Sequence, residues 1–521
     1  MNKKFSLETI DIIFIIILLT ISTIIKIQTY PDGIAIDEAN HWAEVRHHKI
    51  LEVYTGNYNS PMPESPLFFY INYLMIRIKN DLLIFRIPQI LFSYATIILF
   101  YIFAKTFFNR YIAFLASLIL ITSRAFNLIS AYVNPHIYQC FFALATLMNL
   151  MLAIQKNNRK NLILAFAFAA LAYLISPMGV ITTAALIISL IITKNDFIRI
   201  NNKEKNKIKI SKELVIAIIV FFAIILILAP SKILKGKMFT EYLKKQNFIK
   251  SEKTERSIPF FSSLLLGSIW YEHLCLSKIF VVVGVLTMIL TLSKKQFLPI
   301  TIYMITYAFI MSFTLGGMAY TVSIVMFLYM FFSEGAFISI NRVLLFIHKS
   351  LSEKESEKEA KKISFYSKIV SFTILTVFII TTYIYESSKN VFDMNGALKH
   401  TMNKKAYEYI KSRNKSGMYM LIEDFQCSME YYVDKDKLNI TIIPLPNKLE
   451  IAYEVLPPEH PYYDYVITTK EEVWDKNSLR YATLQKIAEQ CTLESEILYT
   501  NGRMFGLNIF NCENVTIKTK N

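Results

Sequence analysis

The 521-residue chain is poor in charge: Asp, Glu, Lys and Arg make up only 18% of it, against about a quarter in an ordinary soluble domain. With 54% hydrophobic residues and a mean hydropathy of +0.38, it reads neither as a cytosolic enzyme nor as a disordered protein. Cysteine is scarce. Five Cys exclude a disulfide scaffold, and the lack of any Cys-x-x-Cys pair removes the usual zinc and thiol-redox patterns. No glycine-rich phosphate loop occurs, so no nucleotide site is expected. Acidic residues are outnumbered, 40 against 56 Lys and Arg, for a net charge of +16. Such a surplus often marks nucleic-acid binding. Here the cations sit mostly in short connectors between apolar runs, which fits the positive-inside rule and no nucleic-acid partner.

Apolar runs are what the chain has in abundance. They lie near 10–25, 82–104, 111–123, 137–154, 161–176, 179–193, 214–230, 278–292, 297–314, 318–338 and 366–385, about eleven spans in all. Met1-Asn2-Lys3-Lys4 precedes the first, and no small-residue cleavage site follows it, so it reads as an uncleaved signal anchor with a cytoplasmic N-terminus. The run Pro66–Ile76 is too short to span alone. If it does not cross, the connectors Lys105–Arg110, Lys156–Lys160, Lys194–Lys212, Lys294-Lys295 and Arg342–Lys368 all face the cytoplasm, and every one is basic. This orientation places loops 28–66, 123–136 and 231–277, and everything after Glu386, outside the membrane.

The expected fold is an α-helical polytopic membrane protein over residues 1–390, followed by a small extracytoplasmic α/β domain over 391–521. Short strand patterns occur at Met418–Ile422, Leu438–Pro444, Asp464–Thr469 and Ser495–Tyr499. Helical patterns lie at Lys404–Arg413 and Leu484–Gln490, and Asn501-Gly502 reads as a hairpin turn. Three Cys fall in this tail, Cys427, Cys491 and Cys512, so a bridge between two leaves one over and the pairing stays open.

The densest polar cluster is Ile36–His48 in the first external loop. On a helix, Asp37, His41, Glu44 and His48 share one face. Two readings stand side by side. One is an interfacial amphipathic helix with a wet face. The other is a carboxylate held at the membrane surface as a base. The second suits a lipid-linked sugar phosphate, because a positioned Asp or Glu deprotonates the acceptor while Arg, Lys or a metal holds the departing phosphate. His41, Glu44 and His48 have helical spacing for a divalent metal, so a metal stays open as a cofactor; no other is expected. Arg124 lies outside against the positive-inside trend, which points to an anionic ligand, and His136 is a second candidate phosphate contact. Lys232–Arg256 forms a basic stretch that either gathers anionic headgroups or is a surface loop, and Trp270–His273 reads as an interfacial anchor.

Asp37-Glu38-Ala39-Asn40-His41-Trp42-Ala43-Glu44 follows the first run, then come Glu64-Ser65-Pro66-Leu67-Phe68-Phe69-Tyr70, Arg86-Ile87-Pro88 and Tyr132-Val133-Asn134-Pro135-His136. This ordered set resembles the GT-C superfamily of polytopic glycosyltransferases, in its bacterial branch of lipid A aminoarabinose transferases and protein O-mannosyltransferase-like enzymes. The motifs cover residues 1–190; beyond them the likeness is topological. The resemblance implies a polyprenyl-phosphate sugar donor, a lipid, glycan or protein acceptor, transfer with inversion, and a multi-pass protein of the inner or plasma membrane in contact with its lipids. It puts the catalytic acid on Asp37 with Glu38 beside it, and substrate contacts on Arg86, Tyr132 and Glu64. Two positions depart from the pattern. Ser65, preceded by Glu64, stands where a basic residue is common, and Asn134 where a second Asp is common. Both argue against the aminoarabinose donor and a second catalytic acid. The competing functions are a transporter or flippase of lipid-linked precursors and a polymerase or ligase of lipid-linked sugars. Transporters place polar or broken helices at mid-membrane, whereas the polar clusters here sit at the outer boundary.

Overall fold

The computed structural model describes residues 7–29, 34, 36–55, 65–193, 197–201, 207–231, 277–292, 294–311, 318–351, 357–388, 395–413, 418–422, 426–444, 464–469, 489, 491–498 and 506–512. The Lys232–Arg256 stretch, Trp270–His273, the Asn501-Gly502 turn and most of Leu484–Gln490 lie outside these residues. The chain forms two compact units. The first holds Met1–Gln28, His48–Ile71 and Ile87–Phe392; the second holds Thr29–His47, Asn72–Arg86 and Asp393–Asn521.

The first unit is helical. Its elements are α1 (Thr9–Thr29), α3 (Ile50–Thr55), the start of α4 (Pro66–Ile78), most of α5 (Leu82–Phe107), α6 (Arg110–Thr122), α7 (Arg124–Ala131), α8 (His136–Lys156), α9 (Arg159–Ile175), α10 (Gly179–Ile192), α11 (Lys212–Leu228), α12 (Lys278–Thr291), α13 (Leu298–Met311), α14 (Met318–Leu351) and α15 (Glu357–Ser388). Among the described residues five helices are long and apolar enough to cross a membrane: Thr9–Gln28, Leu82–Phe107, His136–Lys156, Val322–Ser350 and Glu359–Ser387. The other apolar runs form shorter helices. One of 14 residues, such as α10, is about 21 Å long, short of the ~30 Å hydrocarbon core.

Local chemistry sets these limits. Asn109 caps α6 by accepting from the amides of Tyr111 and Ile112 at 2.9 and 3.1 Å. Asn158 caps α9 and Ser211 caps α11 in the same way. Asn157 ends α8 in the left-handed region at φ 48°, a conformation Asn tolerates. Ser123 ends the apolar run 111–123 and starts a second helix within the stretch 123–136, which the sequence reads as an external loop. Its extended backbone closes α6 and opens α7, its hydroxyl donates to the Leu120 carbonyl at 2.8 Å, and the Phe126 amide donates to it. The chain bends there by 62°. Between α10 and α11 the Lys-rich connector forms an antiparallel hairpin, β1 (Ile198–Asn201) with β2 (Lys207–Ile210), in which Ile198 faces Ile210 and Ile200 faces Ile208.

Packing in this unit uses small residues, as membrane helices do. Ala165 and Ala169 on α9 are fully buried with Leu150, Leu186, Leu214 and Ala217. At Gly284 of α12 a Cβ would stand 2.6 Å from the backbone oxygen of Leu328 on α14.

In the second unit, β3 (Met418–Ile422), β4 (Ile440–Pro444), β5 (Tyr465–Thr469), β6 (Thr492–Leu498) and β7 (Gly506–Asn511) form one sheet in the order β4-β3-β5-β7-β6. β3 runs parallel to β4 and β5, while β7 is antiparallel to β5 and β6. The β3–β4 crossover contains α17 (Gln426–Asp436), and α16 (Asn395–Arg413) precedes β3. Tyr465, Val466, Ile467 and Thr468 of central β5 are all buried, the continuous burial expected of a strand covered on both faces. Cys491 and Cys512 bridge the open ends of β6 and β7, next to the paired Thr492 and Asn511.

Gly284→Val is expected to lower the unfolding free energy in detergent by about 1–3 kcal/mol, the usual cost of overpacking. Leu290→Val, at a position 79% exposed, should change it little. Thermal unfolding of both variants tests this.

Candidate active site

The first loop folds as α2 (Ile36–His47), and Glu38 on it is fully buried. Both Glu38 oxygens receive the guanidinium fork of Arg86, from Nε to Oε1 at 2.7 Å and from Nη2 to Oε2 at 2.6 Å. The side chains are 0% and 3% exposed. Two parallel charge-assisted bonds of this kind fix orientation as well as distance. Asp37 precedes Glu38 in the same helix. The pairing thus fixes the helix that carries the sequence-proposed base.

Further contacts within the second unit hold α2. Tyr432 on α17 accepts a hydrogen bond from the Ile34 amide at 3.1 Å. Burial pushes its phenol up to about 12, so it remains neutral at physiological pH. Trp42 is buried, and its indole donates to Asn80 at 2.9 Å. Asn80 donates to Asp434 at 2.7 Å, and Arg46 donates to the other Asp434 oxygen at 2.8 Å. Tyr431 meets the Trp42 ring edge-on, with centroids 5.4 Å apart.

The metal arrangement on the first loop is not formed. His41 lies 3.7 Å from Glu44, and His48, beyond the end of α2, lies 3.6 Å from Glu52. Among the described residues no three His, Cys, Asp or Glu side chains gather to hold an ion. Glu64 lies outside the described residues.

The remaining candidates belong to the first unit. Arg124 opens α7 immediately after the bend at Ser123. It lines a small cleft with Ser277, Tyr329, Tyr383 and Glu386, and Glu386 accepts from the Ser277 amide at 3.2 Å. Asn134 is buried and its amide folds the loop: Oδ1 accepts from the His136 amide at 2.9 Å, and Nδ2 donates to the carbonyls of Ile129 and Tyr132 at 2.9 and 2.8 Å. That is the work of a cap at the start of α8, where Pro135 has no side-chain bond to offer. Tyr132 and His136 are half-buried on either side.

One residue escaped the sequence reading. Lys26, near the end of α1, is 5% exposed. Its ammonium donates to Ser130 Oγ at 2.9 Å and lies 5.6 and 5.4 Å from the ring centres of Tyr94 and Phe126. The available signal was its spacing, one turn after Ser22 on the face away from the exposed Ile16, Ile24 and Ile27.

Residues 62–228 match the family described as dolichyl-phosphate-mannose-protein mannosyltransferase. No curated protein matches the chain by sequence. Among solved structures, ArnT from Cupriavidus metallidurans in the apo state is similar over 96% of this chain and 98% of its own, with a TM-score of 0.54 at 10% identity. The same protein bound to undecaprenyl phosphate gives 0.52 at 10% identity, over 95% and 98%. The apo oligosaccharyltransferase of Archaeoglobus fulgidus gives 0.52 at 11% identity, over 95% of this chain and 74% of its own. The expected resemblance to the GT-C superfamily is borne out in fold: the described residues are mostly helical, and the chain shares the fold of these solved structures.

Removing one member of a buried ion pair strands the other, at a cost of about 3–5 kcal/mol. Glu38→Ala and Arg86→Met are each expected to lose stability in that range. The double variant should recover much of the loss, and a double-mutant cycle on unfolding in detergent measures the coupling.

Proposed function

We propose that the chain moves a sugar from a polyprenyl-phosphate donor to a lipid, glycan or protein acceptor at the outer face of the membrane, with inversion at the anomeric carbon. One observation carries the reading: the first loop after α1, which bears Asp37, is locked by the buried Glu38–Arg86 pair. A general base must be held in place through the reaction, and a buried bidentate pair on the adjoining residue supplies that rigidity. In this scheme Asp37 takes the acceptor proton as the acceptor oxygen or nitrogen attacks, and the lipid phosphate leaves with the bonding electrons. Glu38 and Arg86 hold the loop. Arg124 is one proposed cation for the departing phosphate, with Tyr132 and His136 as flanking contacts. The ArnT structure with undecaprenyl phosphate supports a donor of this class through shared fold.

Asp37→Asn is expected to insert and unfold like the wild-type chain while losing transfer by at least a hundredfold, the scale of a general base. Mass spectrometry of surface glycans and lipids from a deletion strain complemented with either form reads the outcome. Full complementation by Asp37→Asn rules out the assignment.

The proposed orientation places residues 1–390 in the inner or plasma membrane, with a cytoplasmic N-terminus, and residues 391–521 outside as an α/β domain. The Cys491–Cys512 bridge supports it, since such bonds persist in oxidising compartments. In intact cells neither thiol should react with a bulky maleimide until a reductant is added, and the double Cys→Ser variant should remove the reductant-dependent label. Free thiols at both positions before reduction count against the orientation.

A further inference from the structure

Among the described residues of the first unit, buried charges meet an opposite charge, with one exception. Asp11 pairs with Lys105 and accepts from Tyr101, and Glu334 pairs with Lys294. Lys26 has no carboxylate among the described residues. Its single hydrogen bond goes to Ser130, whose own proton is committed to the Asn127 carbonyl at 3.2 Å. Two of the three ammonium N–H groups are therefore unused. The rings of Tyr94 and Phe126 attract the cation without neutralising it. One turn earlier on α1, the Ser22 hydroxyl is fully buried and also lacks a partner.

A lone buried cation beside an idle hydroxyl is a costly arrangement unless something arrives to meet it. In membrane proteins an ionisable group of this kind marks a site of function. The ammonium offers only donors and carries a positive charge, and the Ser22 hydroxyl can add a donor, so an anion fits the missing component. Lys26 stands one turn before the end of α1, the end that meets the outer headgroups in the orientation proposed above. We propose that Lys26 and Ser22 form a buried anion site that takes the phosphate group of a lipid-linked substrate. The ammonium supplies the charge, Ser22 a third N–H or O–H donor, and Ser130 holds the ammonium in place. The lipid identity rests on the glycosyltransferase reading; the phosphate chemistry rests on the side chains themselves.

The test uses the full chain in detergent and follows thermal unfolding against undecaprenyl phosphate, undecaprenol and inorganic phosphate. Undecaprenyl phosphate should stabilise the wild-type chain and undecaprenol should not. Lys26→Met should weaken that binding at least tenfold. In the absence of lipid it should unfold no earlier than wild type, because it removes an unpaired charge; a purely structural lysine would give the reverse. Ser22→Ala should weaken binding severalfold and carries the test if Lys26→Met does not accumulate. Inorganic phosphate that binds as tightly as the lipid would make free phosphate the occupant and overturn the lipid source. Equal binding of undecaprenyl phosphate by Lys26→Met and wild type overturns the site and leaves the transfer reaction standing. A wild-type chain indifferent to both phosphates overturns the site together with the lipid-phosphate donor.

Discussion

The second unit depends on one electrostatic constraint, the pairing of Glu38 with Arg86 away from water. Neither charge is tolerable alone in a low-dielectric interior, and attraction between them repays their lost hydration only if geometry is good. The guanidinium fork meets that condition with two short bonds. Once it does, α2 is fixed to the start of α5 and its apolar side is committed. Ala39, Trp42, Ala43 and Val45 are buried, while Arg46 and His47 are exposed. The contacts through Asn80 and Asp434 then extend the same constraint to α17.

Much of this was readable from residues. The strand patterns at 418–422, 438–444, 464–469 and 495–499 correspond to β3, β4, β5 and β6, with ends shifted by up to three residues. Alternation and β-branched content are local properties, so the sequence displays them directly. The apolar runs were equally plain, and several helices extend past them: the runs 318–338 and 366–385 lie inside α14 and α15. Ser123 reads as the end of the run 111–123, and only its hydroxyl geometry reveals that a second helix follows at a bend. The β1–β2 hairpin was hidden because its lysines dominate composition while the isoleucine register lies beneath them.

The candidate site was legible in its residue types and not in its pairings. Asp37, Glu38 and Arg86 stand out by motif, yet nothing in their spacing shows that Arg86 is committed to Glu38. Asn134 drew notice as a substitution for an acid, whereas its amide works on its own loop. The wet face expected on α2 is largely covered: side-chain exposure is 14% at His41 and 17% at Glu44. Which cysteines pair was beyond sequence because strand register decides it; β6 and β7 align so that 491 and 512 meet. Lys26 was overlooked for a related reason. A single cation at the end of an apolar run reads as a membrane-edge residue, and burial depends on neighbours contributed by α5 and α7.

The second unit is assembled from three separate stretches of chain, which has a bearing on biogenesis. The backbone amide of Ile34 waits for a phenol located 398 residues downstream. At translation rates of about 5–20 residues per second, that separation corresponds to on the order of 20–80 s on the ribosome. During this interval the nascent first loop has already emerged without its final partner, and it must be shielded by the insertion machinery or by chaperones. Truncation at the C-terminus would therefore leave a defect at the opposite end of the polypeptide.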